Sequence, residues 1–163
     1  MTPTVTLRPM TEQEYDAYRQ RSVPAYAADI ERARGTRPEV ALDESDKAFA
    51  KTLAEAEAEA PERTLVLRVL TSEGEEAGWL WLGPHPHRED GVYVYDIEIA
   101  ETHQGRGLGR ATMLAAEQLA REAGLRHIAL NVFGWNSRAE ELYRSLGYVT
   151  GSTQLSKPLG EQP

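Results

Sequence analysis

The sequence predicts a mixed α/β fold, and two observations carry that expectation. Two apolar, alternating segments, 64–70 and 77–82, are separated by SEGEE with the turn-forming Gly74 and read as an antiparallel hairpin. The second half runs strand, helix, strand, helix over 92–99, 107–123, 128–132 and 137–146. A full crossover helix between two strands makes their pairing parallel, so one sheet holds both directions of pairing.

In chain order, Thr4–Arg8 alternates as a first strand, and Thr11 with Glu14 forms a capping-box signature that starts a helix at Thr11. Pro24 should kink or split that helix before it resumes through Tyr26 and Ile30 to the break at 35–38. Asp43 can cap a second helix, on which Phe49, Leu53, Ala56 and Ala60 recur at helical spacing until Pro61. After the hairpin, GPHPHRED is rich in turn formers and reads as a loop, and VYVYDIEI as a continuous strand. Gly124 closes the next helix.

At 163 residues the chain fits a single domain spanning 1–163, and a domain of that size buries about 70% of its unfolded surface. No apolar run is long enough to cross a bilayer, so no membrane partner is expected. MTPTVTLRPM has no basic stretch followed by an apolar one, and there is no cysteine for disulfides, which points to a cytoplasmic location. A net charge of −8 without a dense Lys/Arg cluster argues against nucleic acid. The same charge mildly attracts cationic amines, although acidic surfaces mostly serve solubility. No repeat or low-complexity linker divides the chain.

The richest chemistry follows the strand 92–99, where AETHQ leads into GRGLGR and a helix opens on the glycines. A first helical turn has four N–H groups without intrahelical partners and a partial positive charge, a site for phosphate. Gly105, Gly107 and Gly109 remove side chains that would hold a diphosphate away, while Arg106 and Arg110 add charge at the rim. The segment is not a P-loop, because Gly109-Arg110-Ala111 replaces Gly-Lys-Ser/Thr. A dinucleotide-binding unit wants an acidic residue at the end of the next strand, which here ends in Asn131 and Val132.

Gln104-Gly105-Arg106-Gly107-Leu108-Gly109 resembles the Gln/Arg-x-x-Gly-x-Gly/Ala motif of the GCN5-related N-acetyltransferase (GNAT) superfamily. Downstream, Asn136-Ser137-Arg138-Ala139-Glu140-Glu141-Leu142-Tyr143-Arg144-Ser145-Leu146-Gly147-Tyr148 is similar to the family's second signature, Asn-x-x-Ala-x-x-Leu-Tyr-x-x-x-Gly-Phe/Tyr. The similarity covers Tyr95 to Tyr148. One departure is Ile99-Ala100-Glu101 where the family often has Val-Asp-Pro, which removes a proline that rigidifies the loop.

The resemblance implies a GNAT-like fold, a central twisted mixed β-sheet flanked by helices on both faces, and acetyl transfer from acetyl-CoA, as co-substrate, to a primary amine of a small molecule or protein. It implies that Gln104–Arg110, Leu108 included, holds the diphosphate and that backbone groups of Ile97 and Ile99 hold the pantetheine arm. Asp96 and Glu98 share a strand face, and acyl transfer needs a neutral amine, so Glu98, or Asp96, or a water is the candidate base. Tyr143 takes the family's position for the hydroxyl that serves the departing sulfur, though a helical tyrosine is also an ordinary core residue. Asn131 and Asn136 are candidates for the pantetheine amides; Ser137 with Glu140 reads as a capping box, which leaves Asn136 available. His85, His87 and His103 show no metal-ligand pattern, and no metal is expected. The stripe Trp79, Trp81, Tyr93 and Tyr95 either packs the sheet or borders the acceptor pocket. A homodimer is allowed, and the alternative function is a domain that senses acyl-CoA without turnover.

Overall fold

The computed structural model describes residues 2–59 and 61–160. Its elements are β1 (Val5–Pro9), α1 (Glu12–Arg34), α2 (Pro38–Glu59), β2 (Leu65–Thr71), β3 (Glu76–His85), β4 (Arg88–Ile99), α3 (Leu108–Glu122), β5 (His127–Leu130) and α4 (Ser137–Ser145). Short 3-10 turns at Pro61–Arg63 and Glu101–His103 follow α2 and β4. The five strands form one sheet in the order β1-β2-β3-β4-β5, antiparallel except for the parallel β4–β5 pair. The mixed sheet, the hairpin and the crossover through α3 are therefore as the sequence predicts.

Contacts divide the chain into two compact units. The sheet unit contains Met1–Ala17 and Lys51–Asn131; the helical unit contains Tyr18–Ala50 and Val132–Pro163.

In the sheet unit, α3 contacts β1, β3, β4 and β5. Its Leu108, Ala111, Met113, Ala116 and Ala120 are buried, as are Leu80, Leu82, Val92 and Val94 on alternate positions of β3 and β4. Full burial of a side chain such as Leu80 or Met113 contributes about 1.5–3 kcal/mol. Thr112, also buried, donates its Oγ1 proton to the Leu108 carbonyl at 2.8 Å, so its hydroxyl costs little inside the core. On the other face, a Cβ added at Gly83 would stand 2.7 Å from the Tyr95 ring and 3.5 Å from the Cβ of Ala56 on α2. Helices thus cover both faces of the sheet.

The start of α1 follows the sequence closely. The Thr11 amide donates to Glu14 Oε2 at 2.8 Å, and the Glu14 amide donates to Thr11 Oγ1 at 3.2 Å, a reciprocal capping box. Pro24 does not split the helix, which is continuous from Glu12 to Arg34. In the helical unit Tyr18, Val23, Ala27 and Ile30 are all buried, and their combined burial outweighs the roughly 3 kcal/mol that an interior proline costs. Ile30, Ala27 and Ala41 form a core cluster with Tyr26 packed against it, and the buried Ser45 hydroxyl donates to the Val23 carbonyl at 2.7 Å.

Two expectations about element ends are corrected. Asp43 does not cap α2: the helix begins at Pro38, whose fixed φ suits a first helical position, and Asp43 lies inside it, paired with Lys47 at 2.7 Å. GPHPHRED is not a loop: β3 runs to His85 and β4 begins at Arg88, leaving a tight turn at residues 86–87. Ala60, placed on α2 from the sequence, lies outside the described residues.

Candidate active site

The two edges of β4 differ along its length. Its pairing with β5 runs from Gly91↔His127 to Val94↔Leu130 and stops there, whereas its pairing with β3 continues to Gly78↔Ile99. Beyond Val94, among the described residues, no strand pairs with the β5-side edge of β4. The Ala100 amide donates to the Ala77 carbonyl at 2.8 Å, which fixes the alternation of backbone groups. Asp96, Glu98 and Ala100 turn their amides toward β3; Ile97 and Ile99 turn theirs toward the open edge. Both residues are those expected to hold an extended ligand arm through their backbone.

The register shifts between Trp81 and Leu82: Trp81 pairs with Asp96 and Leu82 with Val94, leaving Tyr95 as the extra residue of a β-bulge. The bulge puts Tyr95 on the same face as Asp96, where strict alternation would have opposed them. Tyr95 lies against Trp81 and Tyr93, ring centroids 5.1 and 5.0 Å away, and donates its hydroxyl proton to the Pro84 carbonyl at 2.9 Å. Burial pushes the Tyr95 phenol above its ordinary value, with the charges of Tyr93, Glu59 and Glu55 acting in the same direction. Trp79 and Trp81 are buried on this face, and the Trp79 indole N–H donates to Asp96 Oδ2 at 2.9 Å. This bond holds Asp96 to the sheet, while Glu98, half-buried, stands opposite Trp79 in the register. The stripe therefore packs the sheet and frames the carboxylates at once.

The loop after β4 returns over the open edge. Gln104 donates its side-chain amide to the Ile99 carbonyl at 2.8 Å. Gly105 and Gly107 both have positive φ, 76° and 79°, and Gly107 is the left-handed N-cap residue of α3. The Ala111 amide bonds the Gly107 carbonyl, leaving the amides of Leu108, Gly109 and Arg110 ahead of the first intrahelical bond. Leu108 points into the core, so its side chain anchors the turn and only its backbone is available. Gly105 and Arg106 are exposed; Gly109 and Arg110 are half-buried. Asn131, exposed, directly follows β5. Glu98, Ile97, Ile99, Gln104–Arg110 and Asn131 thus all belong to the sheet unit.

Asn136 and Tyr143 belong to the helical unit. Asn136 is the N-cap of α4, its side chain accepting from the Ala139 amide at 3.2 Å, so the expected Ser137–Glu140 capping box is replaced by one residue's shift. Glu140 instead pairs with Arg144 at 2.7 Å. Its oxygen committed to the helix, Asn136 retains its amide N–H groups as donors. Tyr143 is half-buried near the end of α4, its ring 5.9 Å from that of Tyr148.

The sequence model of the Acetyltransferase (GNAT) family matches residues 24–148. The chain belongs to the GNAT acetyltransferase family. It is 30% identical to the uncharacterized N-acetyltransferase YdgE of Bacillus subtilis (strain 168) over 94% of this chain and 98% of that one. With YycN, a second uncharacterized N-acetyltransferase of that organism, it shares 31% identity over 96% and 99% of the two chains. The crystal structure of YycN superposes with a TM-score of 0.87, at 29% identity, over 97% and 100%. AAC(6')-Iy in complex with the bisubstrate analog CoA-S-monomethyl-acetylneamine shares the fold, with a TM-score of 0.57 at 13% identity, over 94% and 97%.

For this GNAT acetyltransferase, the sequence reading missed the bulge at Tyr95 and the Trp79–Asp96 bond. A tyrosine directly before an acidic pair was the available signal, but a bulge belongs to two strands and neither declares it alone. No helix among the described residues is long and apolar enough to cross a membrane. Among the same residues, no group of three His, Cys, Asp or Glu side chains is arranged to hold a metal ion.

Proposed function

We propose that this GNAT acetyltransferase transfers the acetyl group of acetyl-CoA to a primary amine of a small molecule or protein by direct attack on the thioester. The observation that carries this reading is the open edge of β4 at Ile97 and Ile99, ending in a loop that delivers a glycine-flanked helix N-terminus. An edge to which no strand among the described residues is paired beyond Val94 suits an amide-bearing pantetheine arm as an added strand. The first-turn amides of α3 suit a diphosphate, with Arg106 and Arg110 at its rim. In this reading Asn131 and the amide N–H groups of Asn136 serve the pantetheine carbonyls. The bisubstrate analog held by AAC(6')-Iy supports CoA as the acyl carrier on this fold.

The acceptor arrives as an ammonium and must lose a proton before its nitrogen can attack. Glu98 accepts that proton, directly or through one water, and Asp96, already bonded to the Trp79 indole, is the weaker candidate. The new C–N bond forms as the C–S bond breaks, and the sulfur leaves with the electron pair. Glu98 passes the ammonium proton to solvent and then takes the proton that leaves the new amide nitrogen; Tyr143 supplies the proton that makes the sulfur a neutral thiol and regains one from solvent. Calorimetric titration with acetyl-CoA, followed by thiol-release assays over an amine panel, tests the proposal. Binding with amine-dependent release supports it; binding without release across the panel would instead leave an acyl-CoA sensor.

A further inference from the structure

The helix that carries Tyr143 is weakly held by itself. It has nine residues, Ser137–Ser145, and none of them is buried. A helix so short is marginal without outside support, so its direction depends on what grips its ends. The C-terminal end is tied locally: the Tyr148 amide donates to the Tyr143 carbonyl at 3.0 Å, and Arg144 donates to Thr150 at 3.1 Å.

The N-terminal end is held by an aromatic ladder inside the helical unit. Tyr18 and Tyr26 of α1 sit 6.3 and 6.2 Å from Phe49 of α2, and Tyr26 is 6.2 Å from Phe133. Phe133 stacks on Trp135 at 6.0 Å with the rings 7° from parallel. Arg32 of α1 also lies over Trp135, its Cζ 4.1 Å from the ring centroid. Phe133 also accepts a hydrogen bond from the Asn136 amide at 2.9 Å, closing a turn around Trp135, and Asn136 then caps α4. A cation above one ring and a parallel ring beside it hold an otherwise exposed indole in one place.

We infer that Trp135, in contact with both Phe133 and Arg32, is a positioning residue for Tyr143: it fixes the turn that caps α4 and thereby the aim of the Tyr143 hydroxyl. This rests on the proposed role of Tyr143 as the proton donor. Small displacements of a reacting group reduce rates steeply, while binding contacts elsewhere are spared.

The test is a double-mutant cycle on thiol release with acetyl-CoA and an accepted amine. Trp135→Ala and Arg32→Gln should each lower kcat on the order of tenfold, and Trp135→Phe, which keeps a stacking ring, should recover most of it. The KM for acetyl-CoA should stay within about twofold. In a Tyr143→Phe background, neither Trp135→Ala nor Arg32→Gln should lower kcat further, because there is no hydroxyl left to aim. Independent, multiplicative losses in that background would overturn the inference, as would unchanged kcat in both single variants. Full activity of Tyr143→Phe alone would reject the proton-donor reading itself, a distinct result. Circular dichroism establishes folding, and the exposed Arg32→Gln decides the matter if Trp135→Ala does not fold.

Discussion

The side-chain amide of Gln104 donates to the carbonyl oxygen of Ile99 at 2.8 Å, tying the glycine loop to the open edge of β4. This bond occupies one acceptor on that edge and sets where the loop, and hence the N-terminus of α3, begins. We propose that Gln104 acts by placing the loop. A neutral hydrogen bond is worth about 0.5–1.5 kcal/mol net, so Gln104→Ala should weaken acetyl-CoA binding roughly 2- to 13-fold. Isothermal titration reads this directly, and unchanged affinity would show that the loop holds its place without the bond.

Within the glycine loop, Gly107 is the position where a side chain should be least tolerated. Its φ of 79° is left-handed, and a Cβ there would stand 3.2 Å from Pro3. Gly107→Val should abolish CoA binding in protein that remains folded. Gly105 shares the positive φ, but nothing lies within 4 Å of its Cβ position. Gly105→Ala should carry only the roughly 1–2 kcal/mol backbone cost of a left-handed alanine. Titrating both variants with CoA ranks the two effects.

If Glu98 removes the ammonium proton, Glu98→Gln should depress turnover most near neutral pH and least at high pH, where more of the amine is already neutral. A pH-rate profile of the variant against the unmodified enzyme checks this. A pH-independent loss would pass the role to Asp96 or to a water.

Tyr143→Phe keeps the ring against Tyr148 and removes only the hydroxyl. General acid catalysis contributes about 100- to 10,000-fold, so kcat should fall within that range while acetyl-CoA affinity holds. Wild-type turnover, with product release shown not to be limiting, would make Tyr143 a packing residue.

Acid stability has a definite sign at Glu14. Its hydrogen bond from Arg8, at 2.7 Å, and that from the Thr11 amide lower its carboxyl from an ordinary value of 4.5 to about 2. A depressed carboxylate stabilises the fold fully above the unfolded value and loses that contribution as pH falls through the folded one. Glu14→Gln should therefore melt below the unmodified protein at pH 5–7, with the gap closing between about pH 4.5 and 2. Thermal melts across that range report it; both partners are solvent-accessible, so added salt should shrink the gap.

Much of this was legible in the sequence because the deciding interactions are local. Thr11 and Glu14 announce their cap within four residues, and the glycines of 105–109 announce a helix opening with bare backbone. What was not legible depends on distant partners. Whether α1 passes through Pro24 is decided by what buries Val23, Ala27 and Ile30, and whether Pro84 lies in a strand is decided by the β4 opposite it. Asn136 and Ser137 are both good caps, and only the folded backbone selects between them. The end of β4–β5 pairing at Val94 and Leu130 has no signature in either segment, although it is what opens the edge at Ile97 and Ile99.

Mass spectrometry of the amine after incubation with acetyl-CoA carrying a deuterated acetyl group reads acetyl transfer itself. The proposed reaction puts the label on the amine nitrogen, releases one CoA thiol per label, and does neither with Gly107→Val. Acetyl-CoA that binds the protein yet releases thiol no faster with any amine than without one would contradict it.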